Sequence, residues 1–229
     1  NPALSPNLVN LPKNEKGKVV CCGALFSVIL SERGKIYSFG HPEYGQLGNG
    51  TNGQYIQSSK KIGYNFVDAP TEIKQFATKD SHRKIMDTFS NVKLSKIACG
   101  KNHTLALEAP PGKRVFSWGF GGYGRLGHSI SEDEYVPCVI DVLERLKHVT
   151  IKELIAGANC SLSLTQNGFV YFWGKLPNST GGEATMYPKI VDDLGTWTVS
   201  SVAASGQCVM VGSECGVASW GQSIAGELG

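Results

Sequence analysis

The sequence predicts an all-β protein, a β-propeller of four-stranded blades. Three observations carry that expectation. One motif is written four times along the 229 residues. The copies recur at a spacing near that of a propeller blade. Glycine is abundant, with 28 residues, and the apolar segments are short and rich in β-branched and aromatic residues.

The four copies run Val20–Gly48 (VCCGALFSVILSERGKIYSFGHPEYGQLG), Ile97–Gly127 (IACGKNHTLALEAPPGKRVFSWGFGGYGRLG), Ile155–Gly174 (IAGANCSLSLTQNGFVYFWG) and Val202–Gly229 (VAASGQCVMVGSECGVASWGQSIAGELG). Each has a small-residue turn, an apolar strand, a tight turn and a second strand that closes on an aromatic residue and glycine. A unit repeated at fixed period cannot bury its own apolar face and must stack on its neighbours. The closing pairs are Phe39-Gly40, Trp118-Gly119, Trp173-Gly174 and Trp220-Gly221, spaced 79, 55 and 47 residues apart. The last two spacings fit one blade each, with repeats near 19–50, 96–130, 153–180 and 201–229 of a single domain, 1–229. The first spacing is about 30 residues too long. The excess is an insertion, roughly 50–95, expected as a loop on one face, where inserted segments of repeat proteins often bind partners.

The strands follow from period-two alternation. Phe26, Val28 and Leu30, then Leu105 and Leu107, then Leu162 and Leu164 alternate with other residues, which predicts one buried sheet face. Arg33-Gly34 and Asn167-Gly168 are hairpin signals, since glycine and asparagine tolerate positive φ. The next strands are Ile36–Phe39, Val115–Trp118 and Phe169–Trp173. A Gly-x-x-Gly turn follows at Gly45–Gly48, Gly124–Gly127 and Gly226–Gly229, but the third copy reads LPNSTGGEATMYP instead. One short helix is expected around Val139–Leu146.

Hydrophobic residues make up 41% and charged residues 18% of the chain, a folded rather than a solvated composition. A net charge of +3 with dispersed lysines and arginines gives no basic arm for nucleic acid. Of the seven cysteines, none forms a C-x-x-C pair, so neither a zinc nor a redox motif is present in the sequence. The thiols are expected to be buried and free, which fits a reducing compartment. No apolar stretch reaches the roughly 18 residues of a membrane span. The opening NPALSPNLVNLP and the stop on GELG read as cuts from something longer.

Candidate chemistry is mostly absorbed by the repeat. Gly119 to Gly124 matches G-x-G-x-x-G, but the adjoining stretch, RLGHSISEDEY, is no helix, so a dinucleotide site is not expected. His103 occupies the position held by Phe26, Cys160 and Cys208 in the other copies, which marks it as a packing residue. His128 is a repeat-turn residue, and His41 and His82 are expected at the surface. No nucleophile elbow, phosphate loop or cofactor motif is found. Glu132, Asp133 and Glu134 read as a solvated acidic tip, with a contact for a basic partner as the alternative.

SFGHPEYGQLG, ACGKNHTLAL and FSWGFGGYGRLG resemble the regulator-of-chromosome-condensation repeat family, along almost the whole chain and least over Phe66–Val92. The resemblance implies a seven-bladed propeller of which about four blades are present, the remaining blades of the same chain being a partner surface. It implies binding to small GTPases, with guanine-nucleotide exchange or sequestration, and association with chromatin, microtubules and the spindle in the nucleus or cytoplasm. A family member uses a β-wedge against its GTPase. Photoreceptor relatives carry a repeated G-W-R-H-T signature that is absent here. The expected contact residues are His41, Glu43 and Tyr44 in the first turn, Asp68, Lys74, Lys79 and Arg83 in the insertion, and Glu132, Asp133 and Glu134 at the tip. The rival readings are a scaffold at cytoskeleton or adhesions without exchange activity, and an enzyme or enzyme inhibitor on a propeller.

Overall fold

In the computed structural model, residues 5–80, 82–146, 148–177 and 183–229 are described. The first blade opens with β1 (Gly17–Cys22), β2 (Phe26–Ser31) and β3 (Ile36–Gly40). β4 (Gln54–Ser58) and β5 (Lys61–Tyr64) pair only with each other as a hairpin, and β6 (Val67–Glu72) returns to β3, giving the order β1-β2-β3-β6. β7 (Phe76–Lys79) and β8 (Ile85–Phe89) form a second hairpin. The second blade holds β9 (Leu94–Cys99), β10 (His103–Glu108), β11 (Val115–Gly119) and β12 (Glu134–Val139), followed by a short helix α1 (Asp141–Arg145). β7 adds to β12 in parallel, extending this sheet to six strands in the order β8-β7-β12-β11-β10-β9. The third blade is β13 (Ile151–Ala156), β14 (Cys160–Thr165), β15 (Val170–Gly174) and β16 (Thr185–Ile190). The fourth is three-stranded, β17 (Val199–Ala204), β18 (Cys208–Ser213) and β19 (Gly216–Gly221).

The repeat register is the same in every blade. The first residue of each second strand faces the anchor glycine: Phe26 with Gly40, His103 with Gly119, Cys160 with Gly174 and Cys208 with Gly221. Three residues earlier the chain needs a small residue, because the side chain folds over it. A Cβ on Gly23 would lie 1.9 Å from Phe26, and one on Gly100 2.1 Å from His103. The next blade crowds the same position: a Cβ on Gly100 would lie 2.4 Å from the Gly157 carbonyl and one on Gly157 2.6 Å from the Ser205 carbonyl; in the fourth copy Ser205 stands there, its Oγ 3.4 Å from Cys208 Sγ.

A second internal correspondence joins the anchor to the Gly-x-x-Gly turn. Ser38 donates to the Leu47 carbonyl at 2.6 Å, Ser117 to that of Leu126 at 2.7 Å, and Ser219 to that of Leu228 at 2.6 Å. The third copy has Phe172 where the others have this serine, and it also lacks the turn. The two departures belong together: without the leucine carbonyl a serine there has no acceptor. Residues 178–182 of that connection lie outside the described residues.

The sequence pattern predicts one buried face per strand; both faces are buried in the inner blades. On β10, Ala106 joins a cluster with Phe26, Val28 and Leu30 of the first blade, while Leu105 and Leu107 join one with Leu154 and Trp173 of the third. Leu162 and Leu164 continue the stack toward Val209 and Val211 of the fourth. A blade is sandwiched between two others, so alternate residues serve alternate neighbours. The anchor tryptophans do the same between blades: the Trp118 indole N–H donates to the Gln46 carbonyl of the preceding blade at 3.1 Å, and Trp173 packs beside Gly127.

Two expectations are corrected. The insertion is not a loop: it contains the first blade's own fourth strand, β6, and two hairpins. The thiols are not all free, because Cys21 and Cys99 form a disulfide, with Cα atoms 5.7 Å apart, that ties the first strands of blades one and two; Cys22, Cys138, Cys160, Cys208 and Cys215 are free. Adjacent first strands approach closely, and each cysteine faces its neighbour. Among the described residues no helix is long and apolar enough to cross a membrane.

Candidate partner-binding face

The turn at 41–44 is folded by the glycines after it. Gly45 and Gly48 take φ of 76° and 64°, a region costly for other residues, and Gly48 donates back to the Gly45 carbonyl at 2.8 Å. The turn is then pressed against two neighbours. The His41 ring lies 5.4 Å from Tyr64 and 5.1 Å from Phe66, and Tyr44 lies 4.9 Å from Phe120 of the next blade. His41 is therefore half-buried rather than free at the surface. The Tyr44 backbone N–H donates to Gln46 Oε1 at 2.7 Å. Burial, with Glu43 beside it, holds the Tyr44 hydroxyl above its ordinary pKa.

The same end of the blades carries the 132–135 segment. Gly50 donates to the Tyr135 carbonyl at 2.8 Å, and Asp133 Oδ1 accepts from the Gly121 N–H at 2.8 Å. Burial raises the Asp133 pKa. So His41, Glu43, Tyr44, Glu132 and Asp133 share one rim, with Glu132 exposed. Asp68, exposed near the start of β6, lies toward this end, whereas Lys74 lies beyond the other end of β6.

The acidic tip is corrected at Glu134. This residue opens β12 and is only 2% exposed. Lys79 donates to Glu134 Oε2 at 2.5 Å and Arg83 donates to Oε1. Lys79 and Arg83 are thus turned inward to seat the β7–β8 hairpin on the second blade. Burial, with Arg83 adding to it, lowers the Lys79 pKa. Among the described residues, His128, Glu134 and Cys138 place ligand atoms within 4.8 Å of one another. Those donors suit zinc by type, but both Glu134 oxygens already accept from cations, and a divalent ion there would sit against two like charges. The cluster is an ion-pair clamp, with His128 Nε2 2.9 Å from Ser117 Oγ.

His103 is a packing residue, as its repeat position implies. It is fully buried, and its Nε2 lies 2.8 Å from Ser161 Oγ, which itself donates to the Arg125 carbonyl at 2.8 Å. Since the single hydroxyl proton goes to that carbonyl, the imidazole must donate from Nε2. Burial, then the Arg125 charge, pushes the His103 pKa down to about 3. The Gly119–Gly124 motif runs into a short 3-10 turn, Gly122–Gly124, and builds no phosphate-binding helix.

Two features have little signal in the sequence. The β4–β5 hairpin leaves Ile56 81% and Ile62 53% exposed, directly paired across the strands, with Phe66 69% exposed at its base. Its turn, Ser-Ser-Lys-Lys, has no glycine to announce it. Arg125 is 1% exposed, spans from the Gly122 carbonyl to the Ala158 carbonyl of the next blade at 2.8 Å each, and stacks 4.6 Å from Phe120. Burial lowers its pKa to about 10. A lone arginine inside Gly-Arg-Leu-Gly was the available signal.

Known proteins resemble this chain throughout. The regulator of chromosome condensation (RCC1) repeat profile matches residues 33–107 and 114–164, and a second RCC1 repeat profile matches residues 17–46. Human Protein RCC2 is 41% identical over 211 residues, covering 92% of this chain and 39% of the relative. The Xenopus laevis Protein RCC2 homolog is 43% identical over 211 residues, covering 92% and 40%. The chain thus spans about two fifths of the length of these curated relatives. Human WBSCR16 superposes with a TM-score of 0.70 at 22% identity, covering 96% of this chain and 52% of that one. Yeast RCC1 (Prp20), in its complex with Kap60, superposes at 0.67 with 21% identity, covering 93% and 45%. The chain belongs to the RCC1 repeat family, and its four blades form part of an RCC1-type β-propeller.

Proposed function

We propose that the chain is a non-catalytic binding propeller that engages a small GTPase through the end of the blades carrying the β4–β5 hairpin. The observation that supports this reading is the hairpin itself: a two-stranded projection whose paired isoleucines face solvent. Exposed apolar residues gathered in one patch mark an interaction site. Burying an isoleucine contributes roughly 1.5–3 kcal/mol, so this pair can anchor an interface. The family's wedge-type contact and the yeast relative Prp20p, for which binding properties to Gsp1p and histones are described, favour a GTPase as the partner. His41, Glu43, Tyr44, Asp68, Glu132 and Asp133 would form the polar rim.

Such binding makes and breaks no covalent bond. A hairpin that occupies space near a bound nucleotide weakens the nucleotide, and the nucleotide weakens the hairpin's grip by the same factor. Chromatin and microtubules are further partners under this reading, with a nuclear and spindle location. The test is release of a fluorescent guanine nucleotide from a panel of small GTPases, with the chain and its Ile56→Asp/Ile62→Asp variant. Accelerated release that the variant loses supports exchange. Binding that ignores nucleotide state leaves the scaffold reading, and no binding by any GTPase sinks the proposal.

A further inference from the structure

We infer that the opposite end of the blades, remote from the hairpin, is a docking surface for an acidic polypeptide segment. Two neighbouring grooves carry the inference. Between the first and second blades lies a groove of about 410 Å³ rimmed by Arg33, Lys35, Lys74 and Lys93, with Ile73, Phe76 and Val92 in its lining. Between the second and third lies one of about 380 Å³ rimmed by Lys96, Lys113 and Lys152, with Leu107, Pro110 and Ile151. They adjoin, since Ala109, next to Pro110, donates to the Lys93 carbonyl at 2.8 Å.

The two carboxylates in these linings are already engaged. Glu72 pairs with Lys35 at 3.1 Å. Glu108 accepts from Arg114 at 2.8 and 2.5 Å, which holds its carboxyl below the usual range. Among the described residues Arg33, Lys74, Lys93, Lys96 and Lys113 form no ion pair, and all five side chains are exposed. These five unpaired cations line the two grooves at this end of the blades. Like charges gathered in excess of their counter-charges repel one another, and an acidic partner relieves that repulsion.

The chemistry favours carboxylates over phosphates. The apolar linings suit peptide side chains lying between carboxylates, whereas a duplex needs an exposed basic stripe on a markedly basic domain; the chain's pI is about 8.4. The surface does not depend on the GTPase reading, because Arg33 and the hairpin lie at opposite ends of β3.

The experiment titrates the chain into a fluorescein-labelled poly-glutamate peptide of about 20 residues and reads anisotropy at low and physiological salt, with a 20-base-pair DNA duplex as the second probe. The proposal expects saturable binding of poly-glutamate that salt weakens. Lys74→Glu/Lys93→Glu should weaken it by about tenfold or more, while Lys61→Glu on the hairpin should leave it unchanged. Because all of these side chains are exposed, the variants should keep the parent's circular dichroism; Lys74→Gln/Lys93→Gln gives a milder second series that must move in the same direction. Poly-glutamate binding insensitive to both double variants overturns the proposal. So does tighter binding of the duplex that depends on the same lysines, which would make this end a nucleic-acid surface.

Discussion

Mild acid should destabilise this propeller, and His103 should be one of the two main causes. The residue is fully buried, its Nε2 proton is committed to Ser161, and the Arg125 charge stands nearby. Its pKa falls from 6.5 to about 3 in the folded state. Once unfolded, the imidazole takes up a proton at the ordinary value. The folded state therefore binds fewer protons, and its stability is complete above pH 6.5 and erodes as pH falls toward 3. At pH 5 the loss is the 1.5-unit gap below 6.5, about 2 kcal/mol for this one group. On a domain stable by about 5–15 kcal/mol that is measurable, a fall of roughly half to one molar in the urea midpoint. Urea unfolding followed by fluorescence of the buried Trp118 and Trp173 at pH 7, 6 and 5 reads it. His103→Cys, which installs the residue found at this position in the third and fourth copies, should remove about half of the slope. His128 is also pushed down to about 3, by burial and then by Arg83 and Lys79. An equal shift gives a comparable share, which should survive in the His103→Cys protein. Glu108 acts only at lower pH, and the raised pKa of Asp133 works in the opposite sense, so a falling midpoint between pH 7 and 5 reports the imidazoles. Equal midpoints at pH 7 and 5 in the parent, or an undiminished slope in His103→Cys, would refute the reasoning.

Three further outcomes are expected. Glu134→Gln leaves Lys79 and Arg83 half-buried without a counter-charge and should cost about 3–5 kcal/mol, with the amides of 76–89 exchanging faster in hydrogen–deuterium exchange as the β7–β8 hairpin loosens. Gly48→Ala puts a Cβ 2.8 Å from the Trp118 ring nitrogen at a φ of 64°; a loss of about 1–3 kcal/mol should appear in thermal melts, and an unchanged melting temperature would count against the inter-blade role of that turn. Peptide mapping without reductant should recover Cys21 linked to Cys99. Because the bridge spans 78 residues of sequence, Cys99→Ser should lower stability by up to about 4 kcal/mol on the chain-entropy account.

The blades were legible because their signals are local. Alternating apolar residues, Arg33-Gly34 and Asn167-Gly168, and the aromatic-glycine anchors each act within a few residues, and the strands begin and end within a residue or two of where these place them. α1 lies inside the expected Val139–Leu146 window for the same reason. The candidate site was legible only in part. The 41–44 turn and Asp133 meet on one rim. Lys79, Arg83 and Glu134, which look like surface charges one by one, face inward, and their partners stand more than fifty residues away.

By itself the sequence determined the repeat, the strand pairing within each blade and the small residues required beneath Phe26, His103, Cys160 and Cys208. These depend on backbone conformation and on contacts between near neighbours in the chain. Tertiary structure alone decided which blade faces which, that β7 joins β12, that Cys21 meets Cys99, and that two ends of the blades differ in kind, one carrying an apolar hairpin and the other a rim of lysines. Those outcomes come from stacking one blade on the next. Stacking sets side by side residues that are far apart in sequence, and no local pattern encodes which of them will share a groove.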